Sequence, residues 1–86
     1  MANKELKQKF PIGKLYQINF GYASNLFEAY VNDNYRTFKC NEEFFLLLDI
    51  NECDDCIGYV KITALLSTGE RSEIFLFDEH NLKLIQ

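Results

Sequence analysis

Histidine and cysteine, which carry much of the chemistry of enzymes, are scarce in this sequence. It has one histidine and three cysteines. It also lacks a glycine-rich phosphate loop and a serine in the setting of a nucleophile elbow. Catalysis needs several groups that converge on one reacting centre. Because no such constellation can be assigned, we predict that the protein is not an enzyme and uses no cofactor.

Long apolar runs and basic clusters are also missing. No stretch of 18 apolar residues is present, so we expect no membrane-spanning segment. The nine basic residues are scattered, and phosphate recognition needs a basic stripe, so we do not expect nucleic-acid binding. The N-terminal residues MANKELKQKF lack the apolar core of a signal peptide. Three cysteines without such a signal predict a cytoplasmic protein.

What the chain does contain is bulky apolar material and an excess of acidic charge. Hydrophobic residues make up 48% of it, with 8 Phe and 5 Tyr. Such side chains bury a large area per residue, which a chain of 86 residues needs in order to fold. The formal net charge of −4 suits a protein partner that has a basic face.

Most of the sequence alternates between apolar and polar residues with the period of two that is typical of β-strands. We predict an all-β domain of five to six strands, with extended segments at 14–20, 26–31, 43–50, 59–66 and 71–77 and shorter pieces at 35–39 and 82–85. EFFLLLDI is apolar on both faces, which is typical of a central strand. Residues 59–77 form the clearest hairpin, because Gly69 in STGE suits a tight turn.

The N-terminal residues 1–10 differ from the rest. They are polar and could form either a frayed helical turn or a disordered tail. Leu6 and Phe10 are four residues apart, so one side of a helical turn could dock on the domain, and Pro11 and Gly13 would end it. We therefore divide the chain into a polar segment, 1–10, and a single β-barrel domain, 11–86.

The order of elements resembles the SH3-like barrel. KCNEEFFLLLDI resembles that family's diverging turn and second strand, and YVKITALLSTGERSEIFLF its third strand, distal hairpin and fourth strand. NECDDC, DEHN and LKLI then match the n-Src loop, the 3₁₀ turn and the closing strand. At the front, KLYQI matches the family's Ala-Leu-Tyr strand, and residues 19–37 match the long RT loop. The resemblance implies a five- to six-stranded SH3-like barrel.

Two departures limit what the resemblance implies. The chain has no tryptophan, whereas signalling SH3 domains carry one at the start of the third strand, and no proline precedes the last strand. Those residues stack on polyproline ligands, so that function is not implied. Small bacterial and phage proteins share such barrels without it, and this short acidic chain resembles them.

The spacing of NECDDC raises the question of a zinc site. Cys40, Cys53, Cys56 and His80 are numerically a Cys₃His set. A strand between Cys40 and Cys53 would separate them by roughly 20 Å, so the four cannot close on one ion. Cys53, Cys56 and His80 remain as metal candidates, with Asp54, Asp55 or water as a further ligand. We interpret the segment as an acidic loop with two thiols that could pair reversibly.

Five tyrosines exceed what so small a core usually absorbs, and tyrosine is favoured at recognition surfaces. We predict a hypothetical binding surface near the loops, while core packing with a solvent-reaching hydroxyl would account for about half of these tyrosines. Its residues are Tyr16, Tyr22, Tyr30, Tyr59, Asp54 and Asp55.

These observations favour a non-enzymatic module that binds a protein partner, for example a regulator or inhibitor of a host protein encoded by a phage or mobile element. Two alternatives stay open. The chain could be a structural or assembly protein that self-associates through FFLLLDI or IFLF at a sheet edge, or it could be a small zinc knuckle.

Overall fold

This computed structural model describes residues 2–53 and 59–86, which contain seven strands and one short helix. The helix α1 spans Ala2–Lys9. A 3₁₀ turn, Glu79–Asn81, precedes the last strand. The strands are β1 Leu15–Ile18, β2 Leu26–Val31, β3 Asn34–Lys39, β4 Phe45–Glu52, β5 Val60–Leu65, β6 Arg71–Leu76 and β7 Leu82–Leu84.

All seven strands belong to one antiparallel sheet in the order β3-β2-β6-β5-β4-β1-β7. The sheet curls into a half-barrel, which confirms the all-β class and is compatible with an SH3-like barrel. The predicted number of five to six strands is wrong. Residues 26–39, which overlap the segment 19–37 that resembles an RT loop, form a complete hairpin. Asn32 and Asp33 make its tight turn, with φ of 49° and 66°. Two-residue turns with positive φ at both positions match the twist of the strands they join.

The strand β4 lies inside the sheet, between β5 and β1, as predicted from its apolar sequence. It buries Phe45, Leu47 and Ile50 in the core. A register shift between Leu47 and Asp49 marks a bulge in its pairing with β5, and bulges sharpen the local twist of a strand.

The predicted hairpin at 59–77 is confirmed. β5 and β6 pair along their whole length, with Ile62 opposite Ile74 in the core. The turn is closed by a hydrogen bond that the Leu66 N–H donates to the Glu70 carbonyl at 2.9 Å. Gly69 has a φ of 89° in this turn, which is a conformation that side chains disfavour.

Helix α1 packs against the curled sheet rather than extending away from it. Leu6 is buried, and Phe10 packs against the core cluster. Lys7 Nζ lies 3.0 Å from Asn51 Oδ1 in β4, and Lys9 Nζ lies 3.1 Å from Glu79 Oε2. Of the two alternatives for the N-terminal segment, residues 2–9 therefore adopt the helical one.

Candidate functional site

Several large aromatic side chains point outward from neighbouring strands. In β6, Ile74 and Leu76 are buried, so alternation places Phe75 on the outer side, and Phe77 follows β6 on that side. Phe77 is 73% exposed and Tyr35 64% exposed. These rings and their neighbours form what we call the aromatic face, which consists of Tyr30, Tyr35, Tyr59, Phe75 and Phe77.

Two ring pairs hold the aromatic face in a fixed arrangement. Tyr59 and Phe77 meet with centroids 5.4 Å apart and planes at 70°. Tyr30 and Tyr35, which are opposite each other in the β2–β3 hairpin, meet at 5.1 Å and 65°. Edge-to-face contacts of this kind add stability beyond the burial of area. The exposed rings are thus positioned by one another.

The aromatic face lies over a seam where the sheet is weakly joined. Within the described strands, β2 and β6 pair at one position, Tyr30 opposite Glu73. Beyond that position two open pockets of about 480 and 450 Å³ occur along the seam. The second pocket is lined by a carboxylate and three rings, Glu28, Tyr35, Tyr59 and Phe75.

The charge in this seam is acidic. The side chain of Glu28 is exposed and forms no hydrogen bond or ion pair with the described part of the chain. Glu73, at the closed end of the seam, is paired with Lys61, whose Nζ lies 3.0 Å from its carboxylate. Glu28 is therefore the seam carboxylate that is open to an external cation.

The structure separates the predicted surface residues from one another. Tyr30 and Tyr59 lie on the aromatic face, whereas Tyr22, which is fully exposed, lies in the β1–β2 connection. Contrary to the sequence expectation, Tyr16 is not at the surface. It has no exposed area, and its hydroxyl donates a hydrogen bond to the Pro11 carbonyl at 2.9 Å, so that one buried polar group is satisfied.

Asp54 and Asp55, the acidic members of the predicted surface, lie outside the described residues. Sequence reasoning also missed four residues that the structure brings to the aromatic face and its seam. These are Glu28, Tyr35, Phe75 and Phe77. Successive side chains of a strand point to opposite faces, so Phe75 and Phe77 share a face with the charged residues Arg71 and Glu73, and this was the available indication.

The metal candidates do not form a centre in the described part of the chain. No group of three or more His, Cys, Asp or Glu side chains is arranged there to hold an ion. Cys40 and Cys53 carry free thiols and flank β4 at opposite ends. Burial raises the pKa of the Cys40 thiol, which makes it a poor nucleophile. Cys56 lies outside the described residues.

His80 is engaged locally. Its ring Nδ1 lies 2.9 Å from the Asp78 carboxylate, which also accepts a hydrogen bond from the His80 backbone N–H. These interactions hold the pKa of Asp78 below its ordinary value, the backbone hydrogen bond contributing most. Asp78 is thus the residue that caps the 3₁₀ turn, and His80 donates to it.

Comparisons of the chain with protein-family models, curated proteins and solved structures find no match. None of the helices among the described residues is long and apolar enough to cross a membrane.

Proposed function

We propose that this protein is an SH3-like module without catalytic activity that binds a partner protein through the aromatic face. The observation that carries the proposal is the exposure of Phe77 and Tyr35 beside the acidic seam. Aromatic side chains are enriched at protein interfaces. An exposed cluster of rings is costly in water, which argues for a surface that a partner covers.

The arrangement of strands favours a different protein as partner over a second copy of this chain. The apolar segment FFLLLDI belongs mainly to β4, which is paired on both sides. IFLF belongs mainly to β6, which pairs with β5 along its length and with β2 at one position. The edges of the sheet are β3 and the three-residue β7. β3 carries Arg36 and Lys39, and charged residues on an edge discourage pairing between sheets.

We expect the module to act in the cytoplasm by occupying a partner's surface, which requires no catalytic group. That mode of action suits a small regulator or inhibitor, including one encoded by a phage or mobile element. Its negative charge would speed the encounter with a basic partner and make it sensitive to salt.

The proposal can be tested by capture of partners from a lysate of the source cells. Immobilised wild-type protein is compared with Phe77→Ser, which alters the aromatic face, and with Tyr22→Ser, which removes an exposed ring elsewhere. We expect a protein that is retained by the wild type and by Tyr22→Ser but lost with Phe77→Ser. A partner retained equally by all three would contradict the assignment of the surface.

Sedimentation at several concentrations tests self-association in parallel. We expect a monomer throughout. A mass that rises with concentration and returns to that of the monomer in Phe77→Ser would show that the aromatic face binds a second copy instead.

A further inference from the structure

We propose that the seam pocket formed by Glu28, Tyr35, Tyr59 and Phe75 binds an arginine side chain of the partner protein. This inference rests on the proposed function and specifies the chemistry of the partner. The pocket is open, has a volume of about 450 Å³ and is lined by three rings and one carboxylate. That combination supplies both interactions that a guanidinium group uses.

The first interaction is with the rings. The face of an aromatic ring is the negative part of its quadrupole and attracts a cation placed over it. Tyr59 and Tyr35 are held by edge contacts with Phe77 and Tyr30. Because the chain itself orients these rings, a cation that enters does not have to order them, and pre-organisation of this kind favours binding.

The second interaction is with the carboxylate. Glu28 lacks a cationic partner in the described part of the chain, whereas its neighbour Glu73 is satisfied by Lys61 at 3.0 Å. The nearby lysine is thus occupied, and a cation from outside can reach Glu28 without displacing an existing pair. The net charge of −4 acts in the same direction.

Arginine satisfies this pocket better than lysine does. Its guanidinium group is planar and weakly hydrated, so one face can stack on a ring while the fork of N–H groups donates to a carboxylate. An ammonium group is a strongly hydrated point charge and would lose more hydration on contact with the rings. The two kinds of lining group therefore select a planar cation.

The test is an NMR titration of the isotope-labelled full chain with a short capped peptide that contains one arginine. Two matched peptides carry lysine or citrulline, and citrulline keeps the shape of arginine without its charge. We expect saturable shifts centred on the four lining residues, with a dissociation constant on the order of millimolar for so small a probe. Citrulline should bind at least about tenfold more weakly because it forms neither a cation–π contact nor an ion pair.

Variants of the pocket test the two interactions separately. Glu28→Gln and Phe75→Leu should each weaken arginine binding about two- to fivefold. Glu42→Gln, which removes an exposed carboxylate in the β3–β4 connection, should leave binding unchanged. Unchanged dispersion of the NMR spectrum and an unchanged melting temperature would show that each variant is folded.

The outcomes distinguish this inference from the proposed function. Equal binding of the citrulline or lysine peptide, or absence of saturable shifts, would overturn the arginine site even if a partner is captured in a way that depends on Phe77. Selective arginine binding that is weakened by Glu28→Gln would support the site even if capture finds no partner, in which case the proposed function would be the one that fails.

Discussion

The Glu43 carboxylate accepts two hydrogen bonds from Ser67, one from its backbone N–H at 2.8 Å and one from its hydroxyl at 3.1 Å. Glu43 precedes β4, and Ser67 lies in the turn between β5 and β6. The glutamate is only 7% exposed. Its two hydrogen bonds from Ser67 offset the cost of burying a polar group. The pair joins two parts of the chain that are distant in sequence.

Replacement of Glu43 by alanine should destabilise the fold. The change removes both acceptors and leaves the Ser67 N–H without its partner, and a loss of this kind costs about 1–3 kcal/mol. The free energy of unfolding, measured by urea denaturation, checks this. Glu42→Ala is the matched control, since Glu42 is exposed and pairs with Lys39 at 3.7 Å, and its effect should be below about 0.5 kcal/mol. Equal effects of the two changes would show that the Ser67 contacts contribute no stability.

Gly69→Val should destabilise the β5–β6 hairpin because of the backbone rather than because of a clash. Gly69 has a φ of 89°, and a Cβ added there would meet no atom within 4 Å. A β-branched residue in that conformation costs roughly 1–3 kcal/mol. The melting temperature measures the loss. Gly69→Asn is the control, because asparagine enters positive φ more readily, and a loss as large as that of valine would contradict the explanation.

Much of the sheet could be predicted from local pattern, because its elements show themselves within a few residues. Gly69 indicated the β5–β6 turn, and the spacing of Leu6 and Phe10 indicated a helical turn that docks. The strand β3 was harder to count, because none of its residues is fully buried. A strand with no buried face has no alternation to detect.

The candidate site could not be predicted in full for two physical reasons. RSEIFLF places Phe75 on the same face as Arg71 and Glu73, so its pattern indicates an outward ring, but no local pattern shows that Glu28, Tyr35 and Tyr59 meet Phe75 there. Tyr16 could have been a surface residue, because tyrosine has an apolar ring and a polar tip. The partner of its hydroxyl, Pro11, becomes apparent only when the chain has folded back on itself.

The double change Cys53→Ser with Cys56→Ser should leave stability nearly unchanged, within about 0.5 kcal/mol. The structure gives Cys53 a free, partly exposed thiol, which serine can replace without opening a cavity. Thermal unfolding with and without a chelator, together with elemental analysis of protein purified without one, checks this. One bound zinc per chain and unfolding of the double variant would instead establish a structural metal site.

The Arg36–Glu70 pair predicts a specific dependence of stability on pH. Arg36 donates two hydrogen bonds to the Glu70 carboxylate at 2.7 and 3.0 Å. These bonds, with a smaller contribution from Thr68, hold the pKa of Glu70 below its ordinary value of 4.5. Because the pKa is lower in the folded chain, the stabilisation is fully present above the unfolded pKa and is lost as the pH falls through the folded one.

Arg36→Gln should therefore reduce the loss of stability between about pH 7 and about pH 3, measured as the change in the urea midpoint. Arg71→Gln removes the same charge from a residue that forms no ion pair within the described part of the chain, so it should keep the wild-type dependence. If both variants behave alike, the effect comes from net charge and not from the Glu70 contact.

Leu6→Ala tests whether helix α1 is part of the folded unit. Leu6 is 4% exposed and belongs to the core cluster, so truncation removes buried area and leaves a cavity that costs about 2–4 kcal/mol. Gln8→Ala, at an exposed position of the same helix, should change stability by less than about 0.5 kcal/mol. Urea unfolding compares the two variants. If Leu6→Ala is as mild as Gln8→Ala, the contact of Leu6 with the core contributes little stability in solution.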